Sequence, residues 1–327
     1  MKAEQATIHS RPGASKFTVN RMLKYNLKKE VNQKIPVKKK SRSRKLTMKR
    51  NMLADLIVSS QVPETTGIKN KRFIPEKSIP VDPFGDSLNT KFYFRNEQYD
   101  QAVFNIIKTI QKDISLCMVI GKSGTGKTML SQIVIEKLPF GRLLPILVPV
   151  TPHMTKTALL KLLLEAFGHK SEKSITDSSE MIKILRDCIL TSYKNNVKPV
   201  LFIDECHFLS ADALHTIRTL SNFEAHNKKI LTCILFGEEF FPIRLKHPCY
   251  NSLRSRIFLD VRLSPLNERE TNNYIKYRLM KADIKSGNYF DGEELKNIYE
   301  KSGGIPRLIN KICTGIITNR DFLNRRL

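Results

Sequence analysis

Eight residues in the first half of the chain have the types and spacing needed to bind phosphate groups. They read GKSGTGKT from Gly121 to Thr128 and match the pattern G-x-x-x-x-G-K-[S/T]. The glycines let successive backbone N–H groups face a phosphate, and the start of the following helix adds partial positive charge. Lys127 can reach the outer phosphates of a nucleotide, and the hydroxyl of Thr128 can bind Mg²⁺. The predicted nucleotide-binding residues here are Gly121, Ser123, Gly124, Thr125, Gly126, Lys127, Thr128 and Met129.

A second segment, VLFIDE at 200–205, places two carboxylates directly after four apolar residues. Asp204, at the end of a buried strand, can hold Mg²⁺ together with Thr128. Glu205 can polarise a water molecule for in-line attack on the terminal phosphate of ATP. His207 follows, but a lone histidine more often packs or caps than reacts, so we assign it no chemistry.

Polar residues elsewhere could complete such a site. Glu238, after the apolar run ILTCILF, could sense the terminal phosphate, and Asn222 is a second candidate. Arg254 and Arg256 precede the last predicted strand, where an arginine can project into the nucleotide of a neighbouring subunit. Arg307 is expected at the start of a helix, where the helix dipole does not favour a cation, and this placement suits a ligand role. For each arginine the alternative is a surface ion pair.

Around these residues the sequence alternates apolar runs with helical periods. This alternation is typical of a parallel sheet covered by helices on both faces. The predicted strands are 116–120, 144–150, 200–203, 231–236 and 257–261. The predicted helices are 97–111, 127–138, 155–167, 178–194 and 211–225. The sequence therefore predicts an α/β fold.

Both ends of the chain differ from this pattern. Beyond Pro265 the apolar strands stop, and three short helices are predicted at 267–281, 293–301 and 307–318. Residues 1–80 contain 20 Lys and Arg against 5 Asp and Glu. We predict a basic, partly disordered N-terminal arm (1–78), an α/β core (79–264) and a small helical lid (265–327). The arm could bind DNA or a partner protein.

The composition limits the classes of function. The chain carries a formal charge of +25, and 41% of its residues are hydrophobic. That content supports a packed core, and the charge favours a polyanion partner, with nucleic acid first and an anionic membrane second. No apolar stretch is long enough to span a bilayer, and no secretory signal is visible, so we predict no membrane association and a cytoplasmic location. Six scattered cysteines are expected to be reduced.

Taken together, the motifs resemble one family of ATPases. GKSGTGKT, VLFIDECHFLS, LTCILFGEEF, LRSRIFLDVRLSPLNERETNNYIKYRL and SGGIPRLIN look like the ExeA-like branch of AAA+ ATPases. That branch includes secretion-assembly ATPases and the transposition regulators TnsC and TniB. The resemblance implies a P-loop AAA+ core with a helical lid that binds ATP and Mg²⁺ between subunits. It implies Walker A and Walker B roles for Lys127, Thr128, Asp204 and Glu205, an arginine finger at Arg254 or Arg256, and a sensor II role for Arg307.

Two positions depart from the family pattern. Glu238 stands where the branch usually has Gln, which leaves the identity of the first sensor open, and Tyr99 replaces a common His. The basic arm before Pro83 and Phe84 favours the DNA-handling members of the branch.

Similarity to the transposition regulators implies ATP-driven assembly on double-stranded DNA. The homo-oligomer would be a hexameric or heptameric ring or a helical filament. It would mark the target, respond to a target-selector protein and recruit the transposase, and hydrolysis would dismantle it. His153, Thr155 and Lys156, at a helix start, suit contacts to DNA phosphates. A simple helix cap with a solvated lysine is the alternative.

Two other functions fit the same motifs. One is an ATPase for assembly of secretion or pilus machinery. The other is a nucleotide-gated adaptor that hydrolyses little ATP and tethers a partner through its basic arm.

Overall fold

The computed structural model describes residues 82–139, 141–169, 176–284 and 289–324. These residues belong to one compact unit, 75–327. The predicted basic arm, 1–78, lies outside the described residues. The predicted domain borders therefore stay predictions.

Five parallel strands form the central sheet, in the order β2-β3-β6-β1-β7. Their bounds are β1 Leu116–Gly121, β2 Leu143–Pro149, β3 Lys198–Asp204, β6 Thr232–Gly237 and β7 Leu259–Leu263. A separate two-stranded hairpin pairs β4 (Glu224–Ala225) with β5 (Lys228–Lys229). Because the five strands run parallel, the residues that follow β1, β3 and β6 meet at one edge of the sheet.

Successive residues of the central strands point into two different hydrophobic cores. In β1, Leu116 and Met118 pack into one core, and Cys117 and Val119 pack into the other. Strands buried on both faces must be apolar throughout, which explains the uninterrupted hydrophobic runs in the sequence.

Ten α-helices occur in the described part of the chain. Their bounds are α1 Glu97–Gln111, α2 Lys127–Lys137, α3 Lys156–Ala166, α4 Ser178–Lys194, α5 Ala211–Leu220, α6 Phe241–Arg244, α7 Asn251–Arg254, α8 Glu268–Lys281, α9 Gly292–Ser302 and α10 Pro306–Asn324. Helices α3, α4 and α5 cover one face of the sheet. Helices α1 and α2 cover the other face, and α8, α9 and α10 pack into that same core. The last three helices form what we call the lid.

Local sequence sets the ends of the lid helices. Helices α8 and α9 both begin with a capping box, formed by Asn267 with Glu270 and by Asp291 with Glu294. In such a box, the side chain before the helix and a glutamate three residues on each satisfy the other's backbone N–H. Helix α9 ends at Gly303, whose φ is +55°. The chain then turns sharply into α10.

Most predicted elements are present, but one helix is shorter than expected. Helices α1 and α4 have the predicted bounds, and each strand of the sheet lies within about two residues of its predicted place. The predicted helix 211–225 is wrong beyond Leu220, because a hairpin follows it. His226 and Asn227, both with positive φ, form the tight turn that this hairpin needs. Asn222 therefore lies in the turn after the helix rather than on it.

Within the described ranges, no helix is both long and apolar enough to cross a membrane. The six cysteines are free thiols, as expected. Four of them are buried, and Cys249 is exposed.

Candidate nucleotide-binding site

The phosphate-binding loop joins β1 to the start of α2. Lys127 is the first residue of α2, and Gly126 precedes it at the helix cap. The side chain of Lys127 is almost completely buried, and its Nζ donates to the carbonyl oxygens of Gly121 (2.9 Å) and Lys122 (3.1 Å). The ammonium group is thus held within the loop, at the N-terminus of a helix, which is where phosphate oxygens bind.

Thr128 and Asp204 meet although 76 positions separate them in the sequence. The Thr128 hydroxyl donates a hydrogen bond of 2.6 Å to Oδ2 of Asp204, at the end of β3. A hydroxyl and a carboxylate side by side, next to a phosphate-binding loop, are the ligands that Mg²⁺ uses when it also binds nucleotide phosphates. The residues present therefore fit a Mg²⁺ ion, which would be held by Thr128 and Asp204.

Glu205 continues from Asp204 in a left-handed backbone conformation, with φ +55°. This conformation is uncommon outside glycine, and it turns the carboxylate away from the line of the strand. Oε2 of Glu205 lies 3.4 Å from Nδ1 of His207. One ligand atom from each of Glu205, His207 and Glu238 lies within 4.8 Å of the others. The two acidic candidates from β3 and β6 are therefore neighbours.

The lid reaches the phosphate-binding loop through Arg307. Its backbone N–H donates to the carbonyl of Gly124 (3.3 Å), and its Nη1 donates to the hydroxyl of Ser123 (3.3 Å). Gly124 has φ +83°, and a Cβ there would lie 2.8 Å from Cβ of Arg307 and 3.0 Å from Ile305. The absence of a side chain at Gly124 therefore allows the lid to approach the loop closely.

A second glycine fixes the turn that carries Arg307. Leu266 donates its backbone N–H to the carbonyl of Gly304 (2.9 Å), and a Cβ on Gly304 would fall 1.8 Å from the carbonyl oxygen of Leu266. Only glycine fits this approach of two backbones, so Gly304 sets where α10 begins relative to the sheet.

A cavity of about 150 Å³ lies between the phosphate-binding loop, α1 and the lid. Several aromatic side chains line it, among them Phe92, Tyr93, Tyr99 and Tyr274. Arg307, Lys127 and Thr128 line its polar end. A pocket with an aromatic part beside a phosphate-binding part suits a nucleotide base and its phosphates.

Two lining residues have roles that the motifs did not reveal. The hydroxyl of Tyr99 donates to the carbonyl of Thr125 in the loop. Arg278, on α8, is buried, and its Nε and Nη2 donate to the carbonyls of Pro83 (2.5 Å) and Gly85 (3.4 Å). Its guanidinium also lies 4.5 Å from the centre of the Phe92 ring. A signal existed for Arg278, because it continues the buried stripe of α8 formed by Thr271, Tyr274 and Ile275.

The other predicted residues lie away from this pocket. Arg254 is exposed on α7, and Arg256 is half-buried just after it. The pKa of Glu224 is lowered by its hydrogen bond and ion pair with Lys229, and to a smaller extent by the charge of Arg256. Asn222 has a buried Oδ1 without a hydrogen-bond partner among the described residues.

The DNA candidates lie in the loop after β2. His153 is exposed and has φ +57°. The Thr155 hydroxyl accepts a hydrogen bond from the N–H of Ala158 (3.3 Å) and caps α3, whose first residue is Lys156. The helix cap that we named as the alternative to DNA contacts is therefore present. The side chains of His153, Thr155 and Lys156 are at least partly accessible.

Two sequence comparisons find similarity to known proteins. Residues 110–245 match the family model described as AAA domain. The general secretion pathway protein A of Aeromonas hydrophila is 28% identical over 231 residues, which is 71% of this chain and 42% of that protein. The chain thus spans less than half the length of this relative. The chain is thus similar to an AAA domain over residues 110–245 and to a secretion-pathway protein over 231 residues.

Solved structures confirm the predicted fold. The ORC2 protein of Aeropyrum pernix matches with a TM-score of 0.54 and 15% identity, over 71% of this chain and 64% of that one. Cdc6p of Pyrobaculum aerophilum matches with a TM-score of 0.55 and 16% identity, over 70% of this chain and 62% of that one. The Aeropyrum pernix ORC1 protein in complex with DNA matches with a TM-score of 0.53 and 15% identity, over 70% of this chain and 62% of that one. These likenesses establish the fold, a parallel sheet flanked by helices.

Proposed function

We propose that this protein is an ATP-hydrolysing AAA+ regulator that assembles on duplex DNA and selects targets for transposition. The observation that carries the nucleotide part is the hydrogen bond of 2.6 Å between Thr128 and Asp204, with Lys127 beside it and Arg307 over the loop. These four side chains come from the core and the lid and converge on one loop.

The proposed chemistry follows from their positions. Lys127 and the backbone N–H groups of 121–128 bind the phosphates, and Thr128 with Asp204 holds Mg²⁺, which neutralises phosphate charge when bound. Glu205 accepts a proton from the attacking water. Arg307 places its charge at Ser123, where it adds positive charge for the phosphates and connects the lid to the nucleotide.

Assembly is proposed to depend on Arg254 or Arg256. Neither guanidinium has a hydrogen bond to the phosphate-binding loop of its own subunit within the described ranges, and Arg254 is exposed. An arginine so placed can bind the terminal phosphate held by the next subunit, so ATP stabilises a ring or helical filament and hydrolysis weakens it.

The DNA part of the proposal is supported by charge and by the branch that the motifs resemble. The chain carries a formal charge of +25, of which residues 1–80 supply +15. Phosphate contacts by the basic arm and by His153, Thr155 and Lys156 would bind DNA with little sequence preference and steep salt dependence. One structural neighbour with the same fold was solved in complex with DNA. The transposase and a target-selector protein are the proposed partners.

The test is assembly on a double-stranded oligonucleotide, followed by filter binding and negative-stain imaging with and without a nonhydrolysable ATP analogue. Nucleotide-dependent rings or filaments are expected. Lys127→Ala should abolish them, whereas Lys137→Ala, an exposed lysine of the same helix, should not. Glu205→Gln should accumulate assemblies with ATP itself, unlike Glu239→Gln. Weak DNA binding that ignores nucleotide would refute the proposal.

A second candidate is an ATPase for secretion assembly, favoured by the match to the general secretion pathway protein A. It predicts hydrolysis that does not need DNA and co-fractionation with membranes in cells. Phosphate release measured with and without DNA, together with cell fractionation, distinguishes the two candidates. The same assay would identify a nucleotide-gated adaptor, which would bind ATP and release almost no phosphate.

A further inference from the structure

We propose that Glu205, His207 and Glu238 form a binding site for a first-row transition-metal dication, with Zn²⁺ as the best fit. This site is distinct from the Mg²⁺ ligands Thr128 and Asp204 and goes beyond the proposed function. It would make hydrolysis sensitive to a second metal.

The three side chains come together because β3 and β6 are neighbours in the sheet. Glu205 and His207 follow β3, and Glu238 follows β6. One ligand atom from each lies within 4.8 Å of the others. Glu205 and Glu238 are only partly buried as residues, so small side-chain rotations can bring one atom of each of the three residues to roughly 2.0–2.2 Å from a Zn²⁺ ion.

The facing atoms call for positive charge between them. Nδ1 of His207 and Oε2 of Glu205 lie 3.4 Å apart, and neither atom has a hydrogen-bond partner within the described part of the chain. The His207 side chain is only 2% exposed, so water outside the protein cannot satisfy its Nδ1. A buried nitrogen that faces a carboxylate without a well-formed hydrogen bond is costly. A cation shared by both atoms removes this cost.

The imidazole is held in place for this role. Its ring centre lies 4.1 Å from that of Phe208 and 5.0 Å from that of Phe240. The His207 carbonyl accepts a hydrogen bond of 2.8 Å from Nη1 of Arg244, whose Nη2 donates to the carbonyl of Leu209. The direction of Nδ1 is thus fixed by packing on both sides, as expected for a preorganised ligand.

The donor set selects the class of metal. Mg²⁺ and Ca²⁺ prefer oxygen ligands only, whereas one imidazole with two carboxylates suits Zn²⁺, Co²⁺ or Mn²⁺. The two carboxylates also balance the charge of a dication. The alternative, a simple ion pair between His207 and Glu205, does not involve Glu238.

The consequence for catalysis rests on the proposed function. A metal bound by Glu205 occupies the lone pairs that would accept a proton from the attacking water. Zn²⁺ should therefore slow ATP hydrolysis at saturating Mg²⁺ while leaving nucleotide binding unchanged.

The experiment measures metal binding directly, without nucleotide, in the full chain. Exposed His247 and Cys249, whose Nδ1 and Sγ lie 2.9 Å apart, could bind metal by themselves, so H247A/C249S serves as the background. Co²⁺ absorption and competition for Zn²⁺ with a chromophoric chelator report occupancy. We expect one ion per chain, and a loss of affinity of at least about tenfold in both His207→Ala and Glu238→Gln.

Glu239→Gln is the matched control, since Glu239 is exposed beside Glu238 and lies outside the cluster. It should bind Zn²⁺ like the background. Circular dichroism checks that each variant folds. If His207→Ala fails to fold, Glu238→Gln still decides the test. If the background variant binds no Zn²⁺, or if it and Glu238→Gln bind Zn²⁺ equally well, His207 and Glu205 form an ion pair only and the proposal is wrong. Because binding is read without ATP, failure of the ATPase proposal would leave this result intact.

Discussion

The phenol of Tyr99 and the backbone carbonyl of Thr125 are joined by a hydrogen bond of 2.6 Å, which ties helix α1 to the phosphate-binding loop. Burial raises the pKa of Tyr99, so its hydroxyl keeps its proton and stays a donor. The shape of the loop therefore depends on a residue 22 positions before the loop begins.

Tyr99→Phe should loosen the phosphate-binding loop. The change leaves the Thr125 carbonyl without this donor, which should cost about 1–3 kcal/mol of stability. Nucleotide affinity should fall by about tenfold, equivalent to about 1.4 kcal/mol. Chemical denaturation and nucleotide titration measure the two effects. Tyr277→Phe is the control, because its hydroxyl bonds to the carbonyl of Lys91 at 3.3 Å, away from the loop. Equal effects in both variants would argue against a specific role for Tyr99.

Gly124→Ala should push the lid off the loop, because the new Cβ would lie 2.8 Å from Cβ of Arg307. Gly168 has a similar φ, +79° against +83°, but open space around it. Gly168→Ala therefore carries the backbone strain of roughly 1–2 kcal/mol without the collision. We expect both variants to lose stability and only Gly124→Ala to lose nucleotide affinity, as measured by titration. Unchanged affinity in Gly124→Ala would show that the contact with Arg307 does not support binding.

We predict that Arg254, rather than Arg256, acts on the neighbouring subunit, because Arg254 is exposed and Arg256 is half-buried. Arg254→Ala alone should lower hydrolysis by roughly 1000-fold or more. Mixing it with Glu205→Gln should restore phosphate release, since an intact Glu205 then faces an intact Arg254 across mixed interfaces. Arg256→Ala is the matched control and should retain hydrolysis by itself. A mixture no more active than the sum of its parts would contradict this assignment.

Stability should fall at alkaline pH because of buried thiols. Burial raises the pKa of Cys117, Cys233 and Cys313 from 9.0 to about 12. Their contribution is complete below pH 9, where the unfolded chain also keeps its protons, and declines as the pH rises from 9 toward 12. Each fully buried thiol adds a slope of about 1.4 kcal/mol per pH unit there.

Cys233→Ala, which removes a fully buried thiol, should therefore show a shallower decline in the free energy of unfolding above pH 9. Cys249→Ala serves as the control, since that cysteine is exposed, and should keep the original slope. The measurement is chemical denaturation between pH 7 and pH 11. A slope unaffected by Cys233→Ala would show that other groups cause the loss.

The sequence predicted the sheet and the phosphate-binding loop because both depend on local patterns. Apolar runs identify strands buried on both faces, and GKSGTGKT is contiguous. The hairpin after α5 was missed because Glu224, Ala225, Lys228 and Lys229 carry no apolar alternation. Their pairing depends instead on the backbone of His226 and Asn227.

The sequence motifs could not predict contacts between residues that lie far apart in the chain. His207 and Glu238 are 31 positions apart, and only the parallel pairing of β3 with β6 brings them together. The single histidine was assigned no chemistry because its neighbours were not visible from the sequence. The approach of Arg307 to Ser123 likewise depends on the turn at Gly304.

The hydrogen bonds from Arg278 to Pro83 and Gly85 have a mechanical consequence. They fasten Pro83 and Gly85 to helix α8, whose residues Tyr274 and Arg278 line the cavity. Pro83 and Gly85 therefore cannot move away from helix α8 without breaking these bonds to Arg278. A displacement of Pro83 or Gly85 and occupancy of the cavity would then both be felt by the same side chain, Arg278.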